Sequence, residues 1–141
     1  MTPAQALAAA VAVEHQVVYG YGVAGAHLRG RARAAALDAL TAHQLRRDQL
    51  SQQLVQQRVA PPVAAVAYAL PFPVTDATAA RRLCAQLEQA CTGAAWDLAA
   101  ASSASSPGRR LAVAWLSDAA TRAAWWRGVS APAPALPGQP G

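Results

Sequence analysis

The sequence predicts an all-α protein of four consecutive helices. Apolar residues recur at steps of three and four in four separate stretches, a spacing that places them on one face of a helix. Hydrophobic residues make up 54% of the 141 residues and charged residues 13%. Much of the apolar fraction is alanine, which favours helix strongly. A chain of this length is expected to form one domain with a substantial core.

The first two helices form a predicted hairpin. The run Thr2-Pro3-Ala4-Gln5 supplies an N-cap, a proline suited to the first turn and a capping-box glutamine, so helix 1 should begin there. It runs to about Leu28, and Gly30 makes the turn. Helix 2 then extends from about Arg31 to about Arg58, with a glutamine-rich outer face.

The segment from Val59 to Thr75 is predicted to be a long connection. Its four prolines exclude a continuous helix, but its apolar composition differs from that of a disordered linker. We therefore expect this segment to pack against the helices, anchored by Tyr68, Leu70 and Phe72.

The last two helices form a second predicted hairpin. Helix 3 begins near Thr75 or Asp76 and ends near Ala101. A serine-rich loop leads to Ser106-Pro107, which is a capped start for helix 4. Helix 4 is expected to end near Gly128.

These boundaries predict the domain organisation and the way in which the helices are connected. Residues 1–128 form the helical domain, and residues 129–141 form a Pro/Ala-rich C-terminal tail. The three connections are short, long and short, and the long one allows helix 3 to lie parallel to helix 2. The sequence therefore predicts a four-helix bundle with a proline-containing crossover between helices 2 and 3.

Each predicted helix carries polar or charged residues within its apolar face. A buried charge is costly unless it is paired or bound to a metal. Counted from the two turns at about 1.5 Å per residue, these positions reach the same mid-height of the bundle. We therefore predict one shared buried polar centre, which consists of Glu14, His43, Arg47, Glu88, Asp118 and Arg122. Tyr21 lies on the same helical face as Glu14, where it can hydrogen-bond to it, and completes the set.

Several stretches resemble a known family: Val13-Glu14-His15 with Tyr19-Gly20-Tyr21-Gly22, Ala42-His43 with Arg46-Arg47-Asp48, and Tyr68 with Leu70-Pro71-Phe72-Pro73-Val74. Over nearly its full length the chain resembles an uncharacterised ferritin-like family common in actinobacteria. The resemblance implies a ferritin-like four-helix bundle and implies no established function.

Ferritin-like carboxylate proteins hold two metals with a Glu from each of two helices and a Glu-x-x-His from each of the other two. Glu14 and Glu88 match the two single positions. Helix 2 keeps His43 but has Leu40 in place of the Glu, and helix 4 keeps only the shortened carboxylate Asp118. Neither Glu-x-x-His motif is whole, so the resemblance implies a degenerate di-metal centre.

Two readings of this centre remain open. Arg47 and Arg122 add two permanent positive charges to the same faces, and arginine pairs with carboxylates in bidentate geometry. We favour a metal-free ion-pair network on this ground. The alternative is an iron or manganese site whose ligands are Glu14, His43, Glu88 and Asp118.

The remaining features narrow the function classes. The net charge of +5 permits binding to nucleic acid, but the basic turn of Arg29, Arg31 and Arg33 lacks interleaved aromatic residues, so nucleic acid is not expected as a partner. No apolar run has the ~18 residues of a membrane span, and the N-terminus does not match a signal peptide. We expect a cytoplasmic protein that does not bind membranes.

Two further pairs of residues bear on chemistry and assembly. Cys84 and Cys91 are too far apart on one helix for a disulfide and are expected to be buried thiols. Trp125 and Trp126 are adjacent and cannot both face one core, so one could anchor a homodimer through helix 4 or the tail.

The sequence favours a non-catalytic structural or interaction protein, with no catalytic residue identifiable. The alternative function is a metal-dependent oxidoreductase or iron-handling protein. No small-molecule substrate can be identified.

Overall fold

The computed structural model describes residues 1–130, with side chains described through residue 128. In this part of the chain there are four α-helices and no strand: α1 (Pro3–Gly25), α2 (Gly30–Gln56), α3 (Ala77–Ala101) and α4 (Pro107–Ser130). The predicted C-terminal tail lies almost wholly outside the described residues. The all-helical prediction is confirmed.

Local capping explains three of the four helix starts. At α1, the Gln5 amide donates to Thr2 Oγ1 at 3.1 Å and the Thr2 amide donates to Gln5 Oε1 at 2.8 Å, which completes the capping box. Asp76 caps α3 by accepting from the Ala79 amide at 2.7 Å. Ser106 Oγ accepts from the Arg109 amide at 3.1 Å at the start of α4.

Two glycines fit sites where a larger residue would be strained or crowded. Gly30 opens α2 with a φ of +56°, a conformation that side chains with a Cβ rarely adopt. A Cβ added to Gly20 would lie 2.7 Å from Leu87 Cδ1, so Gly20 allows α1 and α3 to approach closely. α1 also ends at Gly25, earlier than the predicted Leu28.

The helices pack around a core in which small side chains are numerous. α1 packs against both α2 and α3, and α3 packs against α4. Buried alanines such as Ala10, Ala95 and Ala119 let the helices approach. Two large side chains, Trp115 and Trp126, fill the space that remains beside α4.

Residues 57–76, between α2 and α3, contain neither helix nor strand. Leu70 and Phe72 pack partly buried against the core, as predicted. The Tyr68 hydroxyl accepts from the Ala65 amide at 2.8 Å, and its ring lies edge-on to Tyr19 at 5.7 Å. His15 Nε2 bonds the Pro62 carbonyl at 3.0 Å, so α1 holds this segment along much of its length.

No helix in residues 1–130 is both long and apolar enough to cross a bilayer.

Candidate functional site

Three helices bring three ionisable side chains together in the core. Glu14 from α1 and Glu88 from α3 are 0% exposed, and His43 from α2 is 1% exposed. Each occupies a position on its helix's apolar face, between neighbours three or four residues away. The periodicity that buries the leucines and alanines therefore also buries these three groups.

His43 bridges the two carboxylates with its two ring nitrogens. Nδ1 lies 2.8 Å from Glu14 Oε2 and 3.2 Å from Glu14 Oε1. Nε2 lies 2.9 Å from Glu88 Oε1. A carboxylate oxygen accepts hydrogen bonds, so ring nitrogens that both face carboxylates are best satisfied when both carry a proton. The geometry therefore fits an imidazolium between two carboxylates.

Two aromatic residues extend the network towards α4. The Tyr21 hydroxyl donates to Glu88 Oε1 at 2.5 Å, and Trp126 Nε1 donates to the Tyr21 hydroxyl at 2.9 Å. The Tyr21 ring also stacks on His43, with the centroids 5.5 Å apart. All four helices thus contribute to one connected chain of hydrogen bonds, which we call the His43 network: Glu14, Tyr21, His43, Glu88 and Trp126.

Burial and pairing have opposite effects on the charge of His43. Burial of the ring disfavours the cation, but the hydrogen bonds and charges of Glu14 and Glu88 outweigh it and raise the pKa of His43 to about 9. For Glu14, burial raises the pKa although His43 acts in the opposite direction. Burial, with the nearby Glu88 charge second, raises the pKa of the Tyr21 hydroxyl, which stays a donor.

The sequence placed three further charged residues in this centre, and the structure corrects that placement. Arg47 is 28% exposed and pairs with its neighbour Asp48 at 3.0 Å. Asp118 is 52% exposed and accepts from Arg46 at 3.1 Å. Arg122 is only half-buried and makes no bond to the His43 network. The two guanidiniums that were expected to neutralise the carboxylates do not pair with them.

The correction has a geometric cause. Arg46 and Arg47 flank the His43 face on opposite sides, each about one turn further along α2. Which of the two arginines bonds to α4 depends on the side of α2 on which α4 lies, and sequence spacing does not reveal that side. Arg46 bonds the Leu111 carbonyl at 3.0 Å as well as Asp118, and thereby ties α2 to α4.

Cys91 and Trp126 belong to the site although the sequence did not assign them to it. Cys91 Sγ lies 4.0 Å from His43 Nδ1, one helical turn beyond Glu88 on α3. Burial, with the charges of Glu14 and Glu88 next in size, raises the pKa of the Cys91 thiol. The three-residue step from Glu88 to Cys91 places both on one helical face and could have assigned Cys91 to the site. Nothing in the sequence pairs Trp126 with Tyr21.

The donor set does not fit a di-metal centre of the ferritin-like kind. The three central residues bond one another directly at 2.8 and 2.9 Å instead of surrounding a space for two ions. Leu40 stands where helix 2 would supply a carboxylate, Thr121 stands where helix 4 would supply an imidazole, and Asp118 lies at the surface. A smaller group of donor atoms, from Glu14, His43 and Cys91, lies within 4.8 Å of one another.

Comparison with known proteins gives a family and a solved relative. Residues 6–141 match the family model described as "Domain of unknown function (DUF4439)". The chain is also similar to the crystal structure of a conserved hypothetical protein, rv2844, from Mycobacterium tuberculosis. The sequence identity is 33%, the TM-score is 0.84, and the match covers 90% of this chain and 96% of that one. No curated protein matches the chain.

Proposed function

The chain belongs to the DUF4439 family, and we propose that it is a non-catalytic structural or interaction protein built as a ferritin-like four-helix bundle. The observation that carries this proposal is the His43 network. The bonds of His43 are made inside the protein, to Glu14 and Glu88, and these three side chains are at most 1% exposed. A group that acts on a substrate needs an approach to that substrate, which these buried side chains do not offer.

The bundle part of the proposal rests on packing and on connection lengths. α1 lies against α2 and α3, and α3 lies against α4, which is the neighbour pattern of two hairpins side by side. The 57–76 connection is long enough to cross the bundle, so α3 can run parallel to α2, as in ferritin-like wiring. We assign residues 1–128 to this domain and residues 129–141 to a tail.

The His43 network would fix the axial alignment of the helices in this fold. A buried ion pair adds little net stability, because desolvation offsets its Coulomb energy, but it can select one alignment of helices over others. His43 must meet Glu14 on α1 and Glu88 on α3 at once. Sliding any of the three helices by one turn would separate these partners by about 5.4 Å.

Metal content tests the non-catalytic proposal against the oxidoreductase and iron-handling alternative. The full chain is expressed with excess iron, manganese and zinc and is purified without chelator for elemental analysis. We expect iron and manganese together to stay far below one ion per chain. Stoichiometric iron or manganese, lost in a Glu88→Ala variant, would show that the carboxylate and histidine side chains hold a metal and would overturn the proposal.

We also propose a homodimer, with Trp96 as its anchor. The expectation that Trp125 and Trp126 cannot both face one core is wrong, because Trp126 lies in the core and Trp125 packs partly buried against it, with the ring centroids 4.7 Å apart. Trp96 on α3 is instead 65% exposed. Large exposed aromatic residues are frequent anchors of interfaces. Sedimentation equilibrium should show a dimer that Trp96→Ala dissociates and that Leu45→Ala, at an exposed site on α2, leaves intact. A monomeric wild type would refute it.

The cellular location is the last part of the proposal. Cys84 and Cys91 are both free and buried. Paired cysteines are usual in oxidising compartments and rare in the cytosol, and these two thiols support a cytoplasmic protein.

A further inference from the structure

A thiol lies beside the Glu14–His43 pair of the His43 network. Cys91 is 0% exposed, and its Sγ is 4.0 Å from His43 Nδ1, the nitrogen that faces Glu14. One oxygen, one nitrogen and one sulfur donor atom therefore lie within 4.8 Å of one another in the core. We propose that Glu14, His43 and Cys91 form a site for a single divalent metal ion of the zinc and cobalt class.

The donor types select this class of ion. Thiolate, imidazole and carboxylate are the three protein ligands that Zn²⁺ uses, most often in a tetrahedral arrangement. Thiolate is a soft ligand that favours zinc over magnesium, calcium or manganese. Both Glu14 oxygens face Nδ1, at 2.8 and 3.2 Å, so a chelating carboxylate would supply the third and fourth donor atoms.

The rest of the His43 network is arranged as an outer shell for this site. Metal-bound histidines commonly donate their other ring N–H to a carboxylate, which fixes the tautomer and the ring orientation. Glu88 Oε1 accepts from His43 Nε2 at 2.9 Å and is itself held by the Tyr21 hydroxyl. With Nε2 occupied in this way, Nδ1 is the nitrogen left to bind metal.

Charge balance favours the replacement of two protons by one divalent metal ion. In the metal-free centre the two carboxylates face one imidazolium and a neutral thiol, which leaves one negative charge. When the metal binds, the Nδ1 proton of His43 and the thiol proton of Cys91 pass to solvent as two H⁺, and one dication takes their place. The centre has the same net charge before and after, so no new buried charge has to be compensated.

The geometry needs only small movements. Ligand atoms on a tetrahedral zinc lie about 2.0–2.3 Å from the ion, so Nδ1 and the Glu14 oxygen must separate slightly from their present 2.8 Å. The thiolate must approach from 4.0 Å. Because the site is buried, metal should enter most readily while the chain folds.

Cobalt spectroscopy tests the proposal. The full chain is refolded with CoCl2, and a thiolate-to-cobalt charge-transfer band is expected to saturate at one cobalt per chain. Cys91→Ser and Cys91→Ala should abolish this band. Cys84→Ser is the matched control, because Cys84 is equally buried on the same helix but lies outside the donor group, and it should keep the band.

Three results would overturn the proposal: no band in the wild type, a band that survives loss of Cys91, or a band that Cys84→Ser abolishes. Should the Cys91 variants fail to fold, X-ray absorption of the zinc-refolded wild type decides instead. One sulfur neighbour at about 2.3 Å supports the site, and a shell without sulfur overturns it.

This inference is independent of the structural role proposed above. Stoichiometric iron or manganese that is lost in Glu88→Ala would refute the non-catalytic proposal, whereas failure to bind a single cobalt or zinc ion would refute only the metal site.

Discussion

His43→Ala is expected to lower the free energy of unfolding by about 3–5 kcal/mol, the range for removing one partner of a buried ion pair. The substitution removes the cation between Glu14 and Glu88, both of which are 0% exposed. Two carboxylates would then share the core without a counter-charge, beside the space that the ring had filled. Urea denaturation followed by circular dichroism measures the loss.

Glu14, whose pKa is raised by burial, can limit this cost by taking up a proton, which gives the variant a distinctive pH dependence. Its stability should recover towards pH 5 and fall as the pH rises, because a buried carboxyl is tolerated only when it is neutral. His27→Ala, at an exposed histidine, is the control and should change the stability by less than about 0.5 kcal/mol. A His43→Ala protein as stable as wild type would mean that the network is not a buried ion pair.

Trp126→Phe is expected to cost about 2–3 kcal/mol, clearly more than Trp115→Phe. Both tryptophans are 1% exposed on α4, so the two substitutions remove similar volumes from the core. Trp126 Nε1 donates to the Tyr21 hydroxyl at 2.9 Å, and that bond would be lost. Trp115 Nε1 has no acceptor among the described residues, so phenylalanine there removes an unsatisfied donor.

The difference between the two variants measures the interactions that Trp126 makes and Trp115 lacks, among them the bond to Tyr21 at the outer end of the His43 network. A gap of about 1–2 kcal/mol in urea denaturation is expected, the usual cost of losing one buried hydrogen bond. Equal losses would indicate that the Trp126–Tyr21 bond contributes nothing and that volume alone decides both values.

Local signals in the sequence were sufficient for the secondary structure. Thr2 and Asp76 cap helices where predicted. An N-cap accepts hydrogen bonds from amides two or three residues away, so it can be recognised from the local sequence alone. The prolines of the 59–75 segment likewise excluded a helix from local geometry alone. The end of α1 was predicted three residues late, since Leu28 continues the apolar pattern after the helix has ended at Gly25.

The site was only partly predictable, because its membership depends on the rotation of the helices about their axes. Glu14, His43 and Glu88 lie at the centre of their apolar faces, where small errors in rotation do not matter. Arg47 and Asp118 lie nearer the edge of a face, and there a small rotation separates core from surface. Tertiary packing sets that rotation.

The charge state of His43 is the central claim, and nitrogen NMR of the metal-free protein measures it most directly. The ring signals of ¹⁵N-histidine protein are assigned by their loss in His43→Gln. At pH 7 we expect both ring nitrogens to be protonated, because the two carboxylates raise the pKa of His43 to about 9. A ring with one unprotonated nitrogen at pH 7 would contradict the imidazolium between Glu14 and Glu88.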